Sequence, residues 1–267
     1  MQNGPYIAHR LLPGIIQDIC ARRGIDYHAF SDDWVLRLQK AERVRWVVGY
    51  KFDANLSAAG QLAQDKVATY MALTAEGIPA VEHYLVRSVP HDPNEMHYSL
   101  NGLKDGPVVI KPLDGTGGRA VECYESIAEA LAAVHKSAEP AWAIAQFYDV
   151  DTEYRLVMLG DTVLLAHAKT QPTLRGRLKL FNLGYGAVAT DVEDEELMNQ
   201  LTSMAQKAMR AMSLNVASVD IVHTSDGDLR ILEVNDGIAL EHYMQQSDEY
   251  KNRAATVYDA VVAAMFA

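Results

Sequence analysis

Between residues 11 and 23 the apolar positions Leu12, Ile15, Ile16 and Ile19 recur at helical spacing, and Gly24 follows two arginines as a helix stop does. A short helix is expected there. Strands are expected over 25–30 and 44–50, the second bounded by Gly49 and the polar run 51–55, so the chain to about residue 56 reads as a small αβ unit. Ser57 is placed to cap one helix running to about Glu76, where Gly77-Ile78-Pro79 ends it, because Gly relieves a helix C-terminus and Pro cannot continue it. A strand over 81–86 follows, then a loop-rich connection, 88–106, with Pro90, Pro93, Asn94, Asn101 and Gly102 inside it. Residues 107–110 form a short apolar strand, and Ser126 with Glu129 makes a capping box ahead of a helix to about His135. Strands are expected at 141–147 and 154–159, and Gly160-Asp161 turns the second into 163–167. Asp194 opens an amphipathic helix carrying Leu197, Leu201, Met204, Ala205, Ala208 and Met212 on one stripe. Residues 218–223 and 229–234 form another hairpin, and 254–265 the last helix. Strand pairs interrupted by helices, rather than strict alternation, indicate antiparallel α+β layers in the C-terminal two thirds.

Composition narrows the function. The 267 residues are 49% hydrophobic and 22% charged, which is ordinary for a globular chain. The formal net charge of -11 argues against binding to nucleic acid or an anionic membrane, since both need a positive footprint. Any bound anion must be held by a local cluster of cations. Two cysteines make no disulfide framework, no basic-then-apolar leader opens the chain, and no apolar run approaches the roughly 20 residues that cross a bilayer. A soluble, unprocessed, cytoplasmic protein is the expectation.

Two segments carry chemistry. If Asp226-Gly227 forms the two-residue turn this dipeptide favours, counting back sets Asp220 opposite Glu233, with Asn235 on the same face. Carboxylates whose β-carbons lie about 5 Å apart repel by roughly 3 kcal/mol at an effective dielectric near 20, so a cation would relieve the pair. Val219, Ile221, Leu232 and Val234 seat the hairpin on a core, and hard oxygen ligands with room for phosphates suit Mg²⁺. An ordinary hairpin with solvated acids is the alternative. The second segment is a strand ending in Lys111, directly before Gly115-Thr116-Gly117-Gly118. Glycines let backbone N–H groups approach phosphates, and a lysine adds a point charge. No GK[ST] follows, so it is not a Walker A loop. Gly115, Gly117 and Ala120 match GxGxxA, but that fingerprint needs a helix starting in the loop, whereas 120–124 reads as a returning strand. A hairpin lid over phosphates fits better, with a plain β-turn and a surface lysine as the alternative.

In order, Asp65-Lys66, Gly77-Ile78-Pro79, Val109-Ile-Lys111-Pro, Gly115 to Gly118, Ala143-Ile-Ala-Gln-Phe147, Glu153-Tyr-Arg155, Asn182-Leu-Gly-Tyr-Gly186, Val219-Asp220-Ile and Leu232-Glu233-Val-Asn235 resemble the ATP-grasp superfamily, especially RimK-type glutamate ligases. The resemblance covers about residues 57–245. It implies an α+β, ATP-grasp fold: two α+β subdomains, 57–148 with the glycine-rich lid and 149–267 with the metal site, clamp ATP behind a short αβ unit, 1–56. It also implies that Lys66, Lys111, Gly115, Thr116, Gly117 and Gly118 meet the phosphates, that the backbone near Gln146, Phe147 and Tyr148 reads the adenine edge, and that Glu153 faces the ribose. Asp220, Glu233 and Asn235 would hold one or two Mg²⁺ ions, with Mn²⁺ able to substitute. Arg155 and Lys169 would lie towards the γ-phosphate or a substrate carboxylate. Arg175 and Arg177, before Asn182, carry guanidinium groups suited to a carboxylate. The implied reaction activates a carboxylate as an acyl phosphate and joins it to an amine. A thiol, alcohol or intramolecular nucleophile, or a silent ATP-binding module, remains open, as do both small-molecule substrates and a homodimer.

The chain departs from that pattern twice. Its N-terminal unit is compact, and Asp236-Gly237-Ile238 follows Asn235 where such ligases often carry Pro-Gly. Both regions normally shape the acceptor site, so substrate identity does not carry over. His83, His91 and His97 are too widely spaced for a zinc reading. Tyr6, His9 and Arg10 are candidates for meeting the acceptor.

Overall fold

Gly24, in the left-handed region at φ 63°, ends helix α1 (Leu12–Arg23) by returning its N–H to the Cys20 carbonyl. The computed structural model describes residues 10–88, 100–115 and 117–267. After α1 comes an antiparallel meander in chain order: β1 (Asp26–Phe30), β2 (Val35–Lys40), β3 (Arg43–Val48) and β4 (Lys51–Phe52). Strand β2 lies outside the expected elements. Its signal is the alternation that buries Leu36 and Leu38 and leaves Arg37 and Gln39 on the other face.

The single helix expected over 57–76 is two, α2 (Ser57–Gln64) and α3 (Lys66–Ala75). Asp65 is the cause: its backbone is extended and its carboxylate accepts the N–H groups of Val67 and Ala68, so it caps a new helix in which Lys66 is the first residue. A four-stranded antiparallel sheet follows, built from β5 (Tyr84–Arg87), β6 (Val108–Pro112), β7 (Glu122–Tyr124) and β8 (Ala141–Gln146) in the order β5-β8-β6-β7. Helix α4 (Ile127–Val134), capped by Ser126, packs on it through Ala130 and Val134. The glycine loop therefore joins the paired strands β6 and β7 and opens no helix, as the hairpin reading expects.

A five-stranded sheet is built from β9 (Val150–Leu159), β10 (Thr162–Thr170), β13 (Val188–Thr190), β14 (Val216–Thr224) and β15 (Leu229–Asn235), in the order β13-β10-β9-β14-β15. A small hairpin of β11 (Thr173–Arg175) and β12 (Leu178–Leu180) rises from it. One face packs on α5 (Glu195–Ala211) through Leu201, Ala205 and Met209. Helix α6 (Glu241–Met244), helix α7 (Asp248–Met265), α1 and the meander cover part of the other face, over Val157, Leu165 and Val216. Helix α7 starts six residues earlier than the apolar stripe suggested, because Ser247 caps it.

The meander also grips the segment after β15. Ile238 donates its N–H to Tyr50, Lys51 pairs with Asp236 at 2.9 Å, and buried Glu241 accepts the N–H groups of Leu11 and Leu12. Among the described residues no helix is long and apolar enough to cross a membrane.

Candidate functional site

Strand pairing writes the site as a row. His167 lies opposite Arg155, Arg155 opposite Asp220, and Asp220 opposite Glu233, across β10, β9, β14 and β15. Directly opposed residues share a face. The flanking rows are Lys169–Glu153 and Val157–Ser218–Asn235 on that same face. Asp220 thus faces Glu233 as expected, but by another route. The turn is the three-residue loop Ser225-Asp226-Gly227, closed by the Thr224 N–H on the Asp228 carbonyl with Gly227 at φ 91°. That slips the register by one, and a bulge opposite the Asp220–Ile221 step restores it.

Asp220 is fully buried and accepts Arg155 through two bonds, Nε to Oδ1 at 2.8 Å and Nη2 to Oδ2 at 2.7 Å. The Lys169 ammonium adds a third at 2.9 Å and also donates to Glu153. Burial alone would raise the Asp220 pKa, but Arg155 and Lys169 outweigh it and hold the carboxyl below its ordinary range. Glu153 is raised, because burial there exceeds the pull of Lys169. Asn235 donates to both Asp220 (3.2 Å) and Glu233 (3.3 Å), so the three oxygen-bearing side chains converge. The positive charge that opposed carboxylates demand comes in the first instance from the protein's own Arg155 and Lys169.

From the other sheet Lys111 reaches towards this row. It is 9% exposed, forms no ion pair with a described residue, and burial, partly offset by Glu233, lowers its pKa to about 8. Lys66, also buried, donates to the carbonyls of Pro112, Leu113 and Gly115. Among the described residues, four cations therefore stand near the three carboxylates Glu153, Asp220 and Glu233, and of the four Lys111 is the one with no hydrogen bond to a described residue, which suits an anion.

The glycine loop is tied to this region by the Lys66 ammonium on the Gly115 carbonyl. Gly117 and Gly118 are both at φ 69°, a left-handed conformation that side chains resist. Asn182 donates to the Gly117 carbonyl at 2.8 Å. Arg175 and Arg177 contact the far strand of the lid, at the Val121 carbonyl and Glu125, and not the Asp220 row. At the β8 end, the Gln146 side chain bridges Lys104 and Pro107, and Phe147 gives its N–H to Pro107. Tyr148 bonds Glu82 at 2.5 Å beneath the Arg230 guanidinium. Arg10 sits apart, over the rings of Trp34 and Tyr50. Thr116, Tyr6, His9, His91 and His97 lie outside the described residues, as do Pro90, Pro93 and Asn94 of the connection.

Sequence reasoning missed His167, and weighed His83 only as a zinc ligand. His167 is buried with neither ring nitrogen partnered by a described residue, and burial with Lys169 and Arg155 lowers its pKa to about 3, so it is neutral. His83 is neutral for the same reason, its pKa lowered by burial and by Lys111 and Lys66.

The model of the RimK-like ATP-grasp domain matches residues 63–265. The chain is 28% identical over 196 residues to a probable alpha-L-glutamate ligase 1 of Hahella chejuensis, covering 71% of this chain and 60% of that protein. It is 27% identical over 199 residues to the ribosomal protein bS6–L-glutamate ligase of Escherichia coli, covering 71% and 61%. The chain thus spans about 60% of the length of these curated relatives. Among solved structures, the D-alanine–D-alanine ligase of Bacillus anthracis complexed with ATP superposes with a TM-score of 0.59 at 15% identity, covering 79% of this chain and 70% of that one.

Proposed function

The chain belongs to the RimK-like ATP-grasp family, and on that premise we propose that it is an ATP- and Mg²⁺-dependent ligase joining a small-molecule carboxylate to an amine. The observation that supports the reading is the acidic row of Asp220, Glu233 and Asn235 with a buried ammonium, Lys111, that bonds no described residue and is free for phosphate. The donor set fits a hard divalent cation: Glu233 and Asn235 offer oxygens, and Asp220 joins them where Arg155 or Lys169 releases one of its own. When bound, Mg²⁺ would supply positive charge that offsets the negative charge of the phosphates.

In the proposed reaction a substrate carboxylate oxygen attacks the γ-phosphorus, the bond to the bridging oxygen breaks, and ADP leaves. The amine lone pair then attacks the acyl carbonyl, the phosphate departs with the C–O bond pair, and the nitrogen gives up a proton. Phosphoryl transfer of this kind needs neutralisation and alignment more than a covalent nucleophile. Lys111 meets the phosphates, Arg155 and Lys169 stabilise the transferring group, and the lid excludes water that would hydrolyse the acyl phosphate. The names of the relatives make L-glutamate the first substrate to try. A panel of amino acids and small carboxylates with ATP and Mg²⁺, read by phosphate release and product mass, tests the proposal. A product weighing acid plus amine less one water supports it, and ATP turnover with no such product refutes it.

Lys111→Met is expected to weaken ATP binding about ten- to a hundredfold, the worth of a charged hydrogen bond, as equilibrium titration would show. The sign with pH follows from a pKa of about 8. Below that value the ammonium is charged and attracts phosphate, so wild-type affinity should fall as pH rises through 8, and the variant should lack that step. For folding the sign is opposite: above pH 8 and up to the ordinary lysine value of 10.5 the unfolded chain holds the extra proton, so this group favours the native state more as pH rises.

A further inference from the structure

We propose that His83 is a specificity-determining residue whose ring nitrogen Nε2 accepts a hydrogen bond from the 6-amino group of ATP. The inference deepens the ligase reading and rests on its nucleotide site. His83 immediately precedes β5, where Leu85 pairs with Ala143, and Ala143 pairs in turn with Lys111. Side chains alternate along a strand, so His83 lies on the face that carries Lys111. Burial, Lys111 and Lys66 together oppose protonation of the ring, which is therefore neutral. A neutral imidazole has one N–H and one lone pair. The ring bonds the Val81 backbone in the sense that favours the protonated nitrogen, so Nδ1 donates to that carbonyl and Nε2 keeps the lone pair. Nε2 is buried and has no partner among the described residues, in a side chain whose residue is 2% exposed.

A buried acceptor without a donor is costly, and here a bound nucleotide supplies the donor. Phosphate oxygens are themselves acceptors, which leaves the 6-amino group and the ribose hydroxyls. Val81, to which His83 is bonded, packs with Ala145 and Val222, apolar surroundings that suit a base better than a sugar. The side chain of Gln146, next to Ala145, is already taken by Lys104 and Pro107 and does not serve the base. A 6-oxopurine would turn a carbonyl lone pair towards Nε2. To donate instead, the ring would have to give up Val81 or take a second proton beside two ammonium groups. Selection against the wrong base is thus a repulsion built into the site.

Equilibrium titration of the full chain with Mg²⁺ compares four nucleotides: ATP, purine riboside triphosphate, which lacks the amino group, inosine triphosphate, which carries oxygen in its place, and 2′-deoxy-ATP. Wild type is expected to bind ATP about tenfold more tightly than purine riboside triphosphate, the size of one hydrogen bond to a buried acceptor, and inosine triphosphate more weakly still. His83→Asn keeps an N–H for Val81 and removes Nε2. It is expected to weaken ATP and to narrow the gap to purine riboside triphosphate to about threefold or less, while the gap between ATP and 2′-deoxy-ATP stays. An unchanged purine gap overturns the assignment. So does an equal loss across all four nucleotides, which would make His83 part of the scaffold only. A change confined to the 2′-deoxy gap would assign Nε2 to the ribose and overturn it as well. If His83→Asn does not fold, His83→Phe carries the same comparison, and the wild-type series decides by itself if neither folds. Wild type that binds none of the four ends the ATP reading and this inference with it, whereas wild type that binds all four alike ends this inference alone.

Discussion

Asp220→Asn is expected to lower the free energy of unfolding by about 3–5 kcal/mol, the usual cost of removing one partner from a buried ion pair. Asp220 is wholly buried, and its two oxygens take three N–H bonds from Arg155 and Lys169. An amide of the same shape offers one oxygen and turns an NH₂ group towards a cation. Lys169, 5% exposed, would be left with Glu153 alone, and Arg155, 20% exposed, would have to find water. Denaturant titration checks the stability, and ADP release should be lost with it. The same pairing fixes the acid response. Because the Asp220 pKa is depressed in the fold, its contribution is complete above the ordinary carboxylate value of 3.8 and fades only as pH falls below it. A variant as stable as wild type at neutral pH would show that Arg155 and Lys169 are satisfied elsewhere.

Glu233→Gln is expected to separate chemistry from folding. Glu233 is half-buried at the end of the row, held by Asn235, and in the proposed reaction it supplies oxygen to the metal. An amide keeps the shape and the Asn235 contact but loses the charge. ADP formation should fall about a thousandfold, the equivalent of several kcal/mol of transition-state charge stabilisation, while the melting temperature stays near that of wild type. Turnover close to wild type at limiting Mg²⁺ would remove Glu233 from the metal site.

The type of most elements was legible because the stripes of α1 and α5, and the caps Ser126, Asp194 and Gly24, are local signals that tertiary packing did not override. The helix break at Asp65 was not, since a capping aspartate inside an apolar pattern reads as one more polar position. Facing and register were harder still. A strict two-residue turn at Gly160-Asp161 would set His167 opposite Tyr154, on the face that packs against α5. A bulge between Val163 and Leu165 moves His167 and Lys169 to the other face, beside Arg155 and Glu153. A bulge leaves almost no mark in one sequence, so the ion-pair network around Lys169 and the exposure of His167 to it could not be read there. The acidic pair was placed correctly only because two one-residue shifts, at the Gly227 turn and at the bulge in β15, cancel.

The grip of the meander on the stretch following Asn235 ties two kinds of failure together. Tyr50 and Lys51 make the meander a buttress for the loop next to the proposed metal ligands, and Glu241 just beyond that loop holds the start of α1. Warming that frees this buttress should therefore silence the proposed ligase activity at the temperature where Trp34 and Trp46 fluorescence reports its melting, well before the remaining sheets come apart.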